Sequence, residues 1–184
     1  MRNKTKGFAG LALLLGIAPA LVGAADPNAA TPEEVVAKVN EAAKYLHDKG
    51  LAAFADFNNN RDARWVWKDS YVFIYSCRDN AMIAHPLRPD LVGKPILQIR
   101  DDKDKPLFQE LCNAAAKPGG GWVEYWWPKP GEGKSSRKIS YALNADVAFK
   151  APIQVTAGIY DDTLTAEQLN KVVETVTDPR RALP

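Results

Sequence analysis

Residues 119–131 read GGGWVEYWWPKPG and hold three of the five tryptophans in the chain. In an alternating strand, Val123, Tyr125 and Trp127 share one face, and Trp122, Glu124 and Trp126 the other. Tyr and Trp combine apolar area with a hydrogen-bond donor, so such a strand suits the wall of a small-molecule pocket as well as a core. Two cations could meet a carboxylate there, Arg64 with bidentate geometry and Lys138 as a point charge. His85, at the end of a strand, is a candidate hydrogen-bond donor at the pocket mouth. Tyr141 is a further wall residue. On a regular strand Lys138 and Tyr141 face opposite ways, so only a bulge would bring both to one pocket.

Other chemistry finds little footing. PKPGEGKS ends like a phosphate-binding loop, but Pro128 stands where that loop needs Gly, and a strand rather than a helix follows. Asp101-Asp102-Lys103-Asp104 lacks the turn Gly and distal Glu of a calcium loop and reads as a solvated turn before a helix. His85 has no nearby G-x-S-x-G partner. The two histidines, His47 and His85, show no metal-ligand spacing with a cysteine. No catalytic set, metal site or cofactor is expected, and the chain reads as a binding module rather than an enzyme.

The elements that must position these residues are legible in outline. Thr31-Pro32-Glu33-Glu34 opens a helix with a capping box, Val35, Val36, Val39, Ala42, Ala43 and Leu46 follow at helical spacing, and Gly50 ends it. Residues 51–69 read as irregular. Strands are expected over 71–76, 81–84, 122–127, 137–144 and 152–160. A long connection over 85–105 leads to a helix over 106–116, and a last helix covers 165–176. This is an α+β plan with a largely antiparallel sheet. The first helix can pack on one sheet face, leaving the connection and the second helix to cover the other.

Residues 1–25 read as a cleaved secretory signal. Arg2, Lys4 and Lys6 precede an uncharged run from Gly7 to Val22, with cleavage near Ala24 or Ala25. The whole chain carries 24 basic and 22 acidic residues; losing three basic ones leaves 21 against 22. Net basicity therefore gives no argument for nucleic acid, and no basic stripe is visible. Residues 26–184 fit one domain. Cys77 and Cys112, an even pair in an oxidising compartment, are expected to form a disulfide between the first hairpin and the helix over 106–116.

Six segments in order, YVFIYS, MIAHP, DLVGKPI, GGGWVEYWWPKPG, RKISYAL and VTAGIYDD, resemble a single Cache domain of the second type over about residues 31–177. The resemblance implies an extracytoplasmic, PAS-like sensor: a five-stranded antiparallel sheet with a long N-terminal helix on one face, a pocket for a small carboxylate or related metabolite on the other, and a C-terminal helix. A cysteine pair in part of that family supports the Cys77–Cys112 bond. After AGIYDD only a short helix follows, so a free periplasmic binding protein, monomer or weak homodimer, reporting through a membrane receptor or kinase, is the expected form. The alternative is a structural or interaction protein that recruits such a partner without a small ligand.

Overall fold

The computed structural model describes residues 26–145 and 152–177; the expected signal over 1–25 and the Pro/Arg tail lie outside them. The Thr31 hydroxyl accepts from the Glu34 N–H, and the Glu34 carboxylate accepts from the Thr31 N–H, closing the capping box of α1 (Pro32–Lys49). Gly50 ends the helix in a left-handed conformation, φ 60°, which favours glycine. Val35, Val39, Ala42 and Leu46 form its buried stripe.

The segment over 51–69 is more ordered than its sequence suggests. It holds a short helix α2 (Ala53–Phe57) and β1 (Val66–Trp67), which pairs with β2 (Ser70–Tyr71) just beyond it in a two-stranded ribbon. Packing explains this order. Phe57 and Trp65 are buried under α1 with ring centroids 4.6 Å apart. Elements of five and two residues are too short to show a hydrophobic period.

The main sheet has five antiparallel strands, β3 (Phe73–Ser76), β4 (Ala81–Ala84), β5 (Gly121–Pro128), β6 (Ser135–Ala145) and β7 (Ile153–Ile159). They lie in the order β4-β3-β7-β6-β5. Helix α1 covers one face, over Ile74, Trp122, Ile139, Tyr141, Val155 and Ala157. Helix α3 (Leu107–Ala115) and the 85–105 connection cover the other, over Phe73, Tyr75, Val123 and Tyr125. Helix α4 (Ala166–Thr177) lies beside β5, where Asn170 accepts from the Trp122 N–H and donates to its carbonyl. Among the described residues no helix is long and apolar enough to cross a membrane.

The turn before α3 is not solvated. Asp101 is buried; one carboxylate oxygen accepts from the N–H groups of Lys103 and Lys105, and the other from the edge-strand N–H of Trp126. Its negative charge is spent pinning the connection to β5. Cys77 and Cys112 are joined, with Cα atoms 5.9 Å apart and a sequence separation of 35, tying the β3–β4 turn to α3. A loop of that length is worth up to about 3–4 kcal/mol in the chain-entropy model. The double variant Cys77→Ala/Cys112→Ala should lose about 2–4 kcal/mol of unfolding free energy in urea titrations. A loss below about 1 kcal/mol would show that α3 is held by its apolar face alone.

Candidate ligand-binding site

The β5–β6 ladder runs without a register shift, pairing Tyr125 with Lys138, Trp127 with Ser136 and Trp122 with Tyr141. Period two then puts Tyr125, Trp127 and Lys138 on the α3 side and Tyr141 on the α1 side. The bulge that would reconcile Lys138 with Tyr141 does not exist. Tyr141 packs on Trp122, centroids 5.4 Å apart, and its hydroxyl donates to the Gly119 carbonyl. Gly120 lets the strand pass over it: at φ +75° a Cβ there would lie 2.5 Å from the Ala142 carbonyl and 3.0 Å from the Tyr141 hydroxyl. Arg64 is also placed elsewhere. It pairs with Asp62, Nη2 to Oδ2 2.6 Å, and stacks on Tyr45 and Trp65 over the α1 face. Local pairing and ring stacking hold it away from Lys138.

On the other face four expected residues come together. The Lys138 side chain is fully buried and its Nζ has no hydrogen-bond partner among the described residues. Three rings surround it, with centroids 3.9 Å away for Tyr71, 5.1 Å for Tyr160 and 5.6 Å for Phe73. Burial lowers its pKa to about 7, with the charge of Asp69 acting in the opposite sense. Gly158 makes the room: a Cβ there would overlap Ser140 Oγ and lie 2.9 Å from Lys138 Cε.

His85 packs on Tyr71 and Phe73, centroids 4.9 and 5.5 Å away. Its Nδ1 accepts from the backbone N–H groups of Leu87 and Arg88. The neutral ring therefore carries its proton on Nε2 and can donate there. Burial first, and the Lys138 charge second, bring its pKa down to about 3, so it stays neutral at physiological pH. Tyr125 lies a layer deeper: it is buried, and its hydroxyl shares a 2.8 Å hydrogen bond with Ser140. Burial raises that phenol well above its ordinary value.

A cleft of about 310 Å³ opens beside this cluster, lined by Tyr71, Leu87, Arg88, Trp127 and residues 128–133. Tyr71 belongs to both: its ring lies on Lys138 and also forms part of the cleft lining. Arg88 stacks on Trp127 at 5.6 Å and is engaged by Asp90 through two 2.8 Å bonds. The Tyr160 hydroxyl donates to the Pro128 carbonyl at 2.6 Å, fixing the base of the β5–β6 hairpin. The single carboxylate on the lining, Glu132, is exposed. Sequence reasoning missed Tyr71, Phe73, Tyr160 and Arg88. Tyr71, Phe73 and Tyr75 alternate with Val72 and Ile74, so a period-two aromatic face was there to find; Arg88 sits in a connection, where no parity applies.

A Cache domain model matches residues 34–180 of this sequence. The chain belongs to the Cache domain family. Its N-terminal helix, five-stranded antiparallel sheet and C-terminal helix match the PAS-like Cache fold. Among curated proteins, it is 34% identical over 100 residues to the sensor histidine kinase MctS of Rhizobium johnstonii, covering 54% of this chain and 21% of that protein. It is 38% identical over 87 residues to the methyl-accepting chemotaxis protein McpP of Pseudomonas putida, covering 47% and 15%. The chain thus spans only a small part of these relatives. A solved methyl-accepting chemotaxis protein from Vibrio parahaemolyticus shares the fold, with a TM-score of 0.58, 23% identity and coverage of 71% and 88%. A Cache chemosensory domain, solved in work on carboxylic acid recognition, matches with a TM-score of 0.53, 25% identity and coverage of 71% and 92%. Cache domains are extracytoplasmic sensor domains, homologous here to ligand-binding parts of chemoreceptors and kinases, and the family is not one of enzymes.

In this Cache domain the Lys138 amine occupies an apolar layer without a partner, so it should weaken the fold whenever it is charged. Its pKa is lower in the fold than in the unfolded chain, where it is about 10.4. Folding then releases a proton between those values, and stability rises with pH from about 7 towards 10. Lys138→Met should accordingly be more stable than the wild type by about 1–4 kcal/mol at pH 6, the range seen when buried charges give way to apolar residues. The gain should shrink towards pH 9. A Lys138→Met variant less stable than wild type at pH 6 would contradict this.

Proposed function

We propose that this Cache domain is a periplasmic sensor module that binds a small carboxylate with a short apolar tail. The observation that carries the reading is the Lys138 amine, buried and unpartnered beneath an aromatic wall next to an open cleft. A cation without a hydrogen-bonded partner is costly to bury, and it persists where it has a task. A carboxylate reaching it would gain a charge-assisted bond. His85 Nε2 and the Tyr71 hydroxyl are the neighbouring donors, and Trp127 forms the wall for the rest of the ligand. No buried carboxylate lines the cleft to receive an ammonium group, and Arg88 is held by Asp90, so one carboxylate and no amine is the best fit. The solved Cache domain associated with carboxylic acid recognition supports this class. A membrane receptor or kinase is the fitting partner, because the two curated relatives are a kinase and a chemotaxis protein.

A thermal-shift screen of the protein from residue 26 onward, against monocarboxylates, dicarboxylates and amino acids, tests this. A monocarboxylate at a hundredfold excess over Kd should add about 2.7 kcal/mol of stability. In calorimetry Lys138→Met should lose more than about tenfold in affinity, or 1.4 kcal/mol, while Arg64→Ala and Tyr141→Phe keep wild-type affinity. Trp127→Ala should also bind about tenfold less well, at a stability cost well under the roughly 3–5 kcal/mol of a fully buried ring. A flat screen, or full affinity in Lys138→Met, would remove the basis for this assignment.

A further inference from the structure

Resting on that reading, we propose that the site takes up a proton together with its carboxylate: above neutral pH the Lys138 amine is mostly neutral in the ligand-free protein and becomes an ammonium ion when the anion enters. The geometry requires a partner for the charged form and supplies none. Nζ is fully buried, makes no hydrogen bond, and takes part in no ion pair among the described residues. Three aromatic rings give it cation–π attraction, but that does not replace a lost hydration shell. An arriving carboxylate is the missing acceptor, and it stabilises the ammonium form alone.

The surrounding groups leave Lys138 as the one that titrates near neutrality. Tyr71 from β2, Tyr160 after β7 and Tyr125 behind Ser140 on β5 are phenols pushed up by burial, Tyr71 to about 12. His85, from the connection after β4, is neutral down to about pH 3. Arg88 on that connection is permanently charged and paired with Asp90. Asp69, before β2, acts on Lys138 only through its charge, and the α3 side chains packed over this face are apolar. The amine itself sits at about 7. A carboxylic acid probe is fully ionised above pH 6, so the proton must go to the protein.

The sign follows from linkage. Ligand binding raises the pKa of Lys138, so affinity is constant well below pH 7 and falls as pH rises through 7. Between pH 6 and pH 8 it should drop about tenfold, because the ammonium fraction of the ligand-free site falls by about that factor. The domain would then report the product of anion and proton concentrations rather than the anion alone.

Titration calorimetry on the wild-type protein, with acetate, propionate and butyrate as probes, decides the matter. At pH 7.5, in Tris and in Pipes, the observed enthalpies should differ by the amount that corresponds to between about half a proton and one proton taken up per ligand. Binding with equal enthalpies in both buffers and unchanged affinity from pH 6 to 8 would overturn the proton coupling while leaving the carboxylate site intact. No binding of any of the three acids at pH 6 would overturn the site and the coupling together.

Discussion

An amine without a partner, held in an apolar layer, is the constraint around which the α3 side of this domain is arranged. The stem of Lys138 needs space in a closely packed sheet, and Gly158 on the neighbouring strand provides it. Its head needs surroundings that tolerate a cation yet do not bind one, and the faces of Tyr71, Phe73 and Tyr160 meet that need. His85 must stay uncharged so close to it, and two backbone donors on Nδ1 hold the ring in one tautomer. Tyr160 also secures the hairpin that forms the outer side of the cleft. Asp69 acts on the amine only through its charge; a carboxylate bonded to Nζ would settle that charge and close the site to an outside anion.

Such a site is affordable because the opposite face is conventional. Helix α1 is capped at its N-terminus, closed by glycine, and buries an unbroken stripe against the sheet, chiefly on β6 and β7. Trp65 and Phe57, packed on Tyr45 of α1, extend that layer beyond the helix end. On the α3 side the apolar cover is shorter, nine residues of helix, and the Cys77–Cys112 bond anchors it to the sheet. The buried amine without a hydrogen-bond partner lies on the α3 side of the sheet, while the indole N–H groups of Trp65 and Trp67 are left unpaired within the α1 layer.

Much of this was legible beforehand. The capping box, the alternation in 122–127 and the cysteine count led to α1, β5 and the disulfide, because each rests on a local rule. Parity foretold that Lys138 and Tyr141 could share a pocket only across a bulge, and the uninterrupted ladder places Lys138 on the cleft side. What stayed hidden depends on turn geometry and on contacts that only the fold brings together. Arg64 looked free because its tie to Asp62 and its stacking on Tyr45 are settled by a turn and by α1. Asp101 looked solvated because its third partner, the Trp126 N–H, is 25 residues away. Tyr71 and Tyr160 approach the Lys138 amine only once β6 and β7 are adjacent in the sheet.

Strand β5 joins the two ends of this arrangement. Its last turn-side residues, Trp127 and Pro128, line the cleft. Midway, Glu124 meets Arg137 at 2.5 Å, and the same guanidinium donates to the carbonyls of Asp161 and Leu164 just before α4. At its start, Trp122 offers both backbone groups to Asn170 of α4. The edge of a sheet would otherwise leave those groups unpaired. Here a side chain from α4 completes the edge, and a carboxylate–guanidinium pair fixes the segment leading into it. These directional attachments tie α4 to the line of β5, alongside the apolar packing of Ala166, Leu169 and Val173; Val172 is left exposed. The strand that walls the site is therefore also the strand that carries the C-terminal helix.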